Sequence, residues 1–179
     1  MIITRDLLES SAVVDNNILV NLYELKRLDI LFHAFALVSI PLQIYQTELP
    51  DEVKKEVDRF DFQVSVIDTE RGYDIYQKLT TNYDFRNLSA QDKSAISIAA
   101  QFQYYCNSND ALVKKACLLY DIKHIGILGL LERAFALGIL DFCELSFLAY
   151  ELASNRTSCY IKKDIVEDFV NSFSEKEKD

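Results

Sequence analysis

The chain has 179 residues, half of them hydrophobic, and a formal net charge of -9. That is the size of one ordinary domain with ample apolar material for a core, which excludes a disordered chain. The acidic balance excludes a broad basic nucleic-acid surface, but not a nucleic-acid site built on divalent ions, since a bound cation inverts the sign of a carboxylate cluster.

Ala12-Val13-Val14 is a short apolar run that ends in Asp15-Asn16-Asn17. It reads as a buried strand whose carboxyl end meets a helix, with Asp or Asn as the N-cap. Ile18, Leu22, Leu25 and Leu28 recur near helical spacing and predict an amphipathic helix from Ile18 to Leu28. Ala36 to Ile40 reads as a second strand stopped by Pro41. Leu42 to Leu49 reads as a helix that ends at Pro50 and carries Glu48 near its end. Asp51 to Phe60 is a charged, exposed helix. Phe62, Val64 and Val66 alternate with polar residues and predict a strand to Ile67. Tyr73, Tyr76 and Leu79 mark another helix. Leu88-Ser89-Ala90-Gln91-Asp92 has the form of a helix start, Ser89 as N-cap and Asp92 at N3. Gln103 to Ser108 is a strand running into Asn109-Asp110, and the next helix carries Leu112, Ala116, Leu119 and Tyr120. Lys123 to Ile125 is a last brief strand, and Gly126 and Gly129 allow a tight turn into a helix from Leu130 to Leu137. Glu144 to Ala153 and Ile161 to Phe173 are two further helices, and a charged tail runs from Ser174 to Asp179.

Strands alternating with helices imply a mostly parallel sheet covered on both faces, and only 4 Gly and 2 Pro keep the chain helix-rich. In such sheets ligands bind beyond the carboxyl ends of the strands. Asp15 and Asp110 each follow a strand and therefore share that rim. With Glu48 and Asp92 they form a set of four acids, far apart in sequence, that folding can aim at one point. Two unit charges about 4 Å apart repel by roughly 4 kcal/mol at an effective dielectric near 20. Carboxylates so gathered take up protons or bind metal, and their hard oxygens suit Mg²⁺ or Mn²⁺. The reading is a metal-dependent phosphodiester hydrolase. Each acid also has a plainer role, Asp15 and Asp110 as helix caps, Asp92 as the partner of Ser89, and Glu48 as a solvated charge.

The four cysteines (Cys106, Cys117, Cys143, Cys159) are scattered without zinc-ligand spacing, and read as free thiols of a cytoplasmic protein. Arg5, Asp6 and Glu9 interrupt any apolar run at the start, so no signal peptide is expected. No stretch reaches a membrane span, since His33, Ser39 and Pro41 divide the apolar run from Leu28 to Leu42. His33 and His124 read as structural, because no nucleophile motif accompanies them. Tyr73, Tyr76 and Tyr83 read as core packing, with a stacking surface for bases as the alternative. Leu22, Leu25, Phe32 and Phe35 belong to the core or form a groove for a partner helix.

Val13-Val14-Asp15-Asn16-Asn17, Gln46-Thr47-Glu48-Leu49, Leu88-Ser89-Ala90-Gln91-Asp92 and Ser108-Asn109-Asp110-Ala111-Leu112, in that order, resemble the PIN-domain ribonuclease family. His124-Ile125-Gly126-Ile127-Leu128-Gly129-Leu130-Leu131 is similar to the strand–glycine–helix element of its bacterial VapC-like toxin branch. The resemblance spans Ala12 to Leu140 and departs at Asn17, where Thr or Ser is usual, and in having no Arg or Lys beside Asp110. It implies a three-layer α/β/α fold with a short, mostly parallel central sheet and extra C-terminal helices. The domain would occupy residues 1–143, with helices of 144–173 packed on it and 174–179 as a flexible tail. It further implies an endoribonuclease whose catalytic residues are Asp15, Glu48, Asp92 and Asp110. Asp15, Asp92 and Asp110 would hold Mg²⁺ or Mn²⁺, with Glu48 completing the shell or orienting the attacking water. Asn17, Lys93 and Lys114 would contact the RNA substrate. The expected partners are an antitoxin protein and a second copy of the chain, with no membrane. The alternative on the same fold is an inactive PIN-like module for protein interaction.

Overall fold

The structure, a computed structural model, describes residues 9–174; the expected charged tail beyond Ser174, and the acid and base expected at positions 5 and 6, lie outside them. Five strands form one parallel sheet in the order β3-β2-β1-β4-β5. They are β1 (Ser11–Val14), β2 (Leu37–Pro41), β3 (Gln63–Ser65), β4 (Tyr105–Asn107) and β5 (His124–Ile125). Between them run α1 (Asn16–Glu24), α2 (Asp29–Ala34), α3 (Asp51–Val57), α4 (Glu70–Thr81), α5 (Ala90–Phe102) and α6 (Ala111–Leu119). Helices α7 (Ile127–Ala136), α8 (Phe142–Leu152) and α9 (Lys163–Ser174) follow β5.

The apolar run of β1 makes it the central strand, because only a strand covered on both faces can be apolar at every position. Its residues then divide between two cores by simple alternation. Ala12 and Val14 face a large core built with α1, α2 and α7 to α9, where Leu19, Leu31, Leu131 and Leu145 are buried. Val13 faces a second core with Ile96, Ala99, Cys106, Ala116 and Cys117 from α5, β4 and α6. The result is helices, sheet and helices in three layers, as the pattern of the chain predicts. The two C-terminal helices complete the larger core through Leu148, Val166 and Phe173.

Strand order reverses between β1 and β4, which pair directly with Val14 opposite Asn107. Successive crossovers lead to β2 and β3 on one side of β1 and to β4 and β5 on the other. Loops leave this point in opposite directions and open a crevice beyond the strand ends, the usual place for a ligand in an open α/β sheet.

Several local expectations are corrected. The helix expected from Ile18 to Leu28 stops at Glu24, and Lys26 takes a left-handed φ of 57°. A separate helix, α2, then occupies part of the apolar stretch. The segment carrying Glu48 winds as a π-helical turn, Ile44–Glu48, and Pro41 closes β2 from inside the strand. Helix α3 is half-buried through Val53 and Val57. The phase of β3 is inverted: Val64 and Val66 are exposed, whereas Ser65 is buried and hydrogen-bonds Ser39 on β2, Oγ to Oγ, at 2.6 Å. Tyr73 and Tyr83 are exposed rather than core, and on α6 the buried residues are Val113, Ala116 and Cys117 while Leu119 is exposed. Leu22 and Phe35 lie in the core, and Phe32 stacks on Phe60 with ring centres 4.4 Å apart.

Candidate active site

Asp15 is the first residue after β1 and the N-cap of α1. Its backbone N–H donates to the Asn107 carbonyl at 3.0 Å, which carries the β1–β4 pairing one step past the strands and fixes the side chain at the crevice. The carboxylate is only 6% exposed and satisfied by three donors. Asn16 N–H donates to Oδ1 at 2.7 Å, and Asn17 Nδ2 and Ser108 Oγ donate to Oδ2 at 2.7 and 2.8 Å. Burial nevertheless pushes the Asp15 carboxyl above its ordinary pKa, the Ser108 bond opposes this, and the charges of Asp92 and then Asp110 raise it further. Glu48 is also raised, first by burial and then by the charges of Asp15 and Asp92. Four acids spread over the chain thus share one electrostatic neighbourhood.

Asp110 follows β4 and caps α6, its Oδ1 accepting from Leu112 and Val113 N–H at 2.6 and 3.0 Å. Its own N–H donates to Ser108 Oγ at 3.2 Å, so one hydroxyl ties Asp15 to Asp110. Asp92 sits at the third position of α5, where Oδ2 accepts from Ser89 N–H and Oγ at 2.9 and 2.8 Å in a capping box. Glu48 projects from the π-helical turn.

Among the described residues no group of three or more His, Cys, Asp or Glu side chains is arranged to hold a metal ion. The cause is visible in the hydrogen bonds. Asp92 and Asp110 turn toward their own helix N-termini, where backbone N–H groups satisfy them. Electrostatic proximity and the hardness of four carboxylates fit a divalent cation in kind. The present side-chain orientations do not form its cage.

Of the expected substrate contacts, Asn17 and Lys114 line a cleft of about 860 Å³ that also takes in Ser108, Asp110, Gly126 and Tyr160. Lys93 stands beside Asp92 on α5, outside that lining. His124 Nε2 donates to the Ser108 carbonyl at 2.9 Å, and burial lowers its pKa, so it serves as a neutral structural donor. The glycine turn is set by Asn109, whose Oδ1 accepts from Ile127 N–H at 2.8 Å. A Cβ on Gly126 would come within 3.3 Å of that oxygen, so glycine gives the turn its room.

Sequence reading passed over Ser108 and Asn109 as working residues. Their signal was the Ser108-Asn109-Asp110 spacing after a strand, which offers a hydroxyl and an amide to the same turn that presents the acid. Asn107 was also missed: its side chain is fully buried, and neither polar atom finds a hydrogen-bond partner among the described residues. Such departures from satisfied polarity concentrate at functional sites.

A family model described as "DUF3368: PIN domain" matches residues 11–175. Searches of curated proteins and of solved structures give no match. The family match spans nearly the whole sheet-and-helix framework, all four acids and the glycine turn. By that match, with which the fold agrees, the chain belongs to the PIN-domain family, whose members are in general nucleases that use divalent metal ions.

Proposed function

We propose that this protein is a divalent-metal-dependent endoribonuclease acting on single-stranded or looped RNA at the rim between β1 and β4. The observation that carries the reading is the convergence of four sequence-distant acids: burial and then the charges of Asp92 and Asp110 raise Asp15, and burial and then the charges of Asp15 and Asp92 raise Glu48. A protein gains nothing for stability by crowding carboxylates in a half-buried rim, and perturbed acids in a cleft are candidates for function.

Asp15, Asp92 and Asp110 are the residues that would hold Mg²⁺ or Mn²⁺, with Glu48 completing the set or orienting the attacking water. When bound, the ion would polarise a phosphate oxygen, lower the pKa of water and offset charge on the leaving oxygen. Ser108 donates to Asp15, which favours the ionised carboxylate against burial, and keeps Asp110 in register. Asn17 braces the other side of the Asp15 carboxylate. Lys114, exposed in the cleft wall, would meet a phosphate, while Lys93 would act from the α5 side. Unpaired RNA suits such a rim because its backbone can enter and its bases splay.

The resemblance of His124 to Leu131 to the VapC-like branch supports extending the proposal to the toxin of a type II toxin–antitoxin pair, homodimeric and cytoplasmic. A small adjoining reading frame whose product blocks cleavage is its test. A second reading, an inactive module that works through protein contacts, is favoured by one observation, that no three-ligand group is formed among the described residues.

RNA cleavage by the full chain in Mg²⁺, Mn²⁺ and EDTA separates the two. The nuclease reading expects cleavage that EDTA abolishes. It expects Asp92→Asn and Asp110→Asn to lose more than the roughly 10–100-fold typical of an outer-shell partner. Equal rates in wild type and variants, or no cleavage with any ion, would leave the inactive module.

A further inference from the structure

The cleft beside Asp110 is lined by groups of two kinds: polar and charged Asn17, Ser108, Asp110 and Lys114, and apolar or aromatic Tyr160 and Ile161 from the segment between α8 and α9, with Ile165 from the first turn of α9. Tyr160 is 98% exposed, the most exposed of the large apolar side chains among the described residues. A free aromatic ring on an unordered loop would carry no information, but this segment is fastened at its base. Ser158 N–H donates to Glu24 Oε2 at 2.7 Å, and the single Ser158 hydroxyl hydrogen is shared between Glu24 Oε2 at 2.9 Å and Asn21 Oδ1 at 3.1 Å. Next to the ring, Cys159 is buried in the larger core, and Asn109, the neighbour of Asp110, reaches its sulfur at 3.9 Å. The backbone is therefore held just before the ring by Ser158 and Cys159, and just after it by Ile161, which packs against the larger core.

Resting on the nuclease reading above, we infer that Tyr160 is a stacking platform for an unpaired base of the nucleic acid whose phosphate lies by Asp110 in the same cleft. An exposed π-face beside a cation is the combination that single-stranded nucleic acid uses, stacking on the ring and pairing its backbone with the charge. Lys114, which lines the same cleft, supplies that charge. Glu132, also in the lining, repels phosphate, so the ring is left to a base rather than to backbone. Stacking accepts any base, so Tyr160 adds affinity for unpaired strands without dictating sequence. A paired helix buries its base faces and gains nothing from the ring.

Binding is measured by fluorescence anisotropy with the full chain in Mg²⁺, in an Asp92→Asn background so that the RNA stays whole. The probes are a labelled single-stranded octaribonucleotide and the same sugar–phosphate oligomer without bases. Tyr160→Ala is expected to weaken the base-bearing oligomer about tenfold or more, and Tyr160→Phe to restore it. The abasic oligomer should bind equally weakly to all three proteins. Since the ring is exposed, melting temperatures should coincide, which serves as the folding control. Unchanged binding of the base-bearing oligomer by Tyr160→Ala, an equal loss on the abasic oligomer, or no binding by the parent would each overturn the inference. Failure of the nuclease reading is recognised separately, as absence of metal-dependent cleavage by the wild-type chain.

Discussion

The Ser108 hydroxyl donates to Asp15 Oδ2 at 2.8 Å and accepts from Asp110 N–H at 3.2 Å, joining two acids that lie 95 positions apart in the chain. This bridge crosses the point where strand order reverses, so the same contact that aligns β1 with β4 also sets the spacing of the acids. Ser108→Ala should lower stability by about 1–2 kcal/mol, because a hydrogen bond to a charged group is lost from a buried place. The bond opposes the upward shift of the Asp15 carboxyl, so its loss raises that carboxyl further. Metal binding needs the ionised form, and the pH at half-saturation by Mn²⁺ should therefore move up. Ser108→Thr, which keeps the hydroxyl, should restore both readings.

Glu48 gives the sign of the electrostatic account. Its folded-state pKa lies above its ordinary value of 4.5, so between the two values the folded chain holds a proton that the unfolded chain has released. Stability consequently falls as pH rises through that window, and the ionised group is a net cost at neutral pH. In EDTA at neutral pH, Glu48→Gln should melt higher than wild type. Because the side chain is partly exposed the gain stays below about 1 kcal/mol, or roughly 2–4 °C. The difference should vanish as pH drops below the ordinary carboxylate range. With Mn²⁺ present the order should reverse.

Asp110 is a helix cap and, on the proposed function, a metal ligand, and one pair of variants separates the two. As N-cap of α6 it accepts two backbone N–H groups, a role that Asn fills equally well and Ala does not. Asp110→Ala should cost about 1 kcal/mol of stability in EDTA, and Asp110→Asn close to nothing. Mn²⁺ should raise the melting temperature of the wild-type protein, and both variants should abolish that rise.

The Ser39–Ser65 pair tests the packing of the sheet edge. Ser39 is fully buried and Ser65 nearly so, each the other's partner at 2.6 Å. Ser39→Ala or Ser65→Ala alone strands one hydroxyl and should cost about 1–3 kcal/mol, read from denaturant midpoints. The double substitution should cost less than the sum of the two.

How much of this was legible in the chain follows from what each signal measures. The apolar run 12–14 and the acid after it fixed the central strand and one catalytic candidate, because burial on both faces leaves no other composition. The Ser89–Asp92 spacing gave the start of α5, since a capping box is local chemistry that tertiary structure does not override. Strand β3 misled for the opposite reason. Its apolar residues alternate, but the strand lies at the sheet edge, where a buried serine pair outweighed the apolar phase. The π-helical turn under Glu48 and the break between α1 and α2 depend on how neighbouring elements pack, and no periodicity encodes that. Asp15, Asp92 and Asp110 could be found by position after strands or at a helix start, and Glu48 by its place near a helix end. That two of them are turned toward their own helices could not, because cap and ligand roles require the same residue at the same place.

A direct measurement of the central claim is a Mn²⁺ titration followed by electron paramagnetic resonance, in which the signal of free Mn²⁺ is lost on binding. The account predicts stoichiometric loss, one or two ions per chain, for the wild-type protein and little loss for Asp15→Ala at the same concentrations. Wild type and Asp15→Ala binding Mn²⁺ equally, or neither binding it, would contradict it.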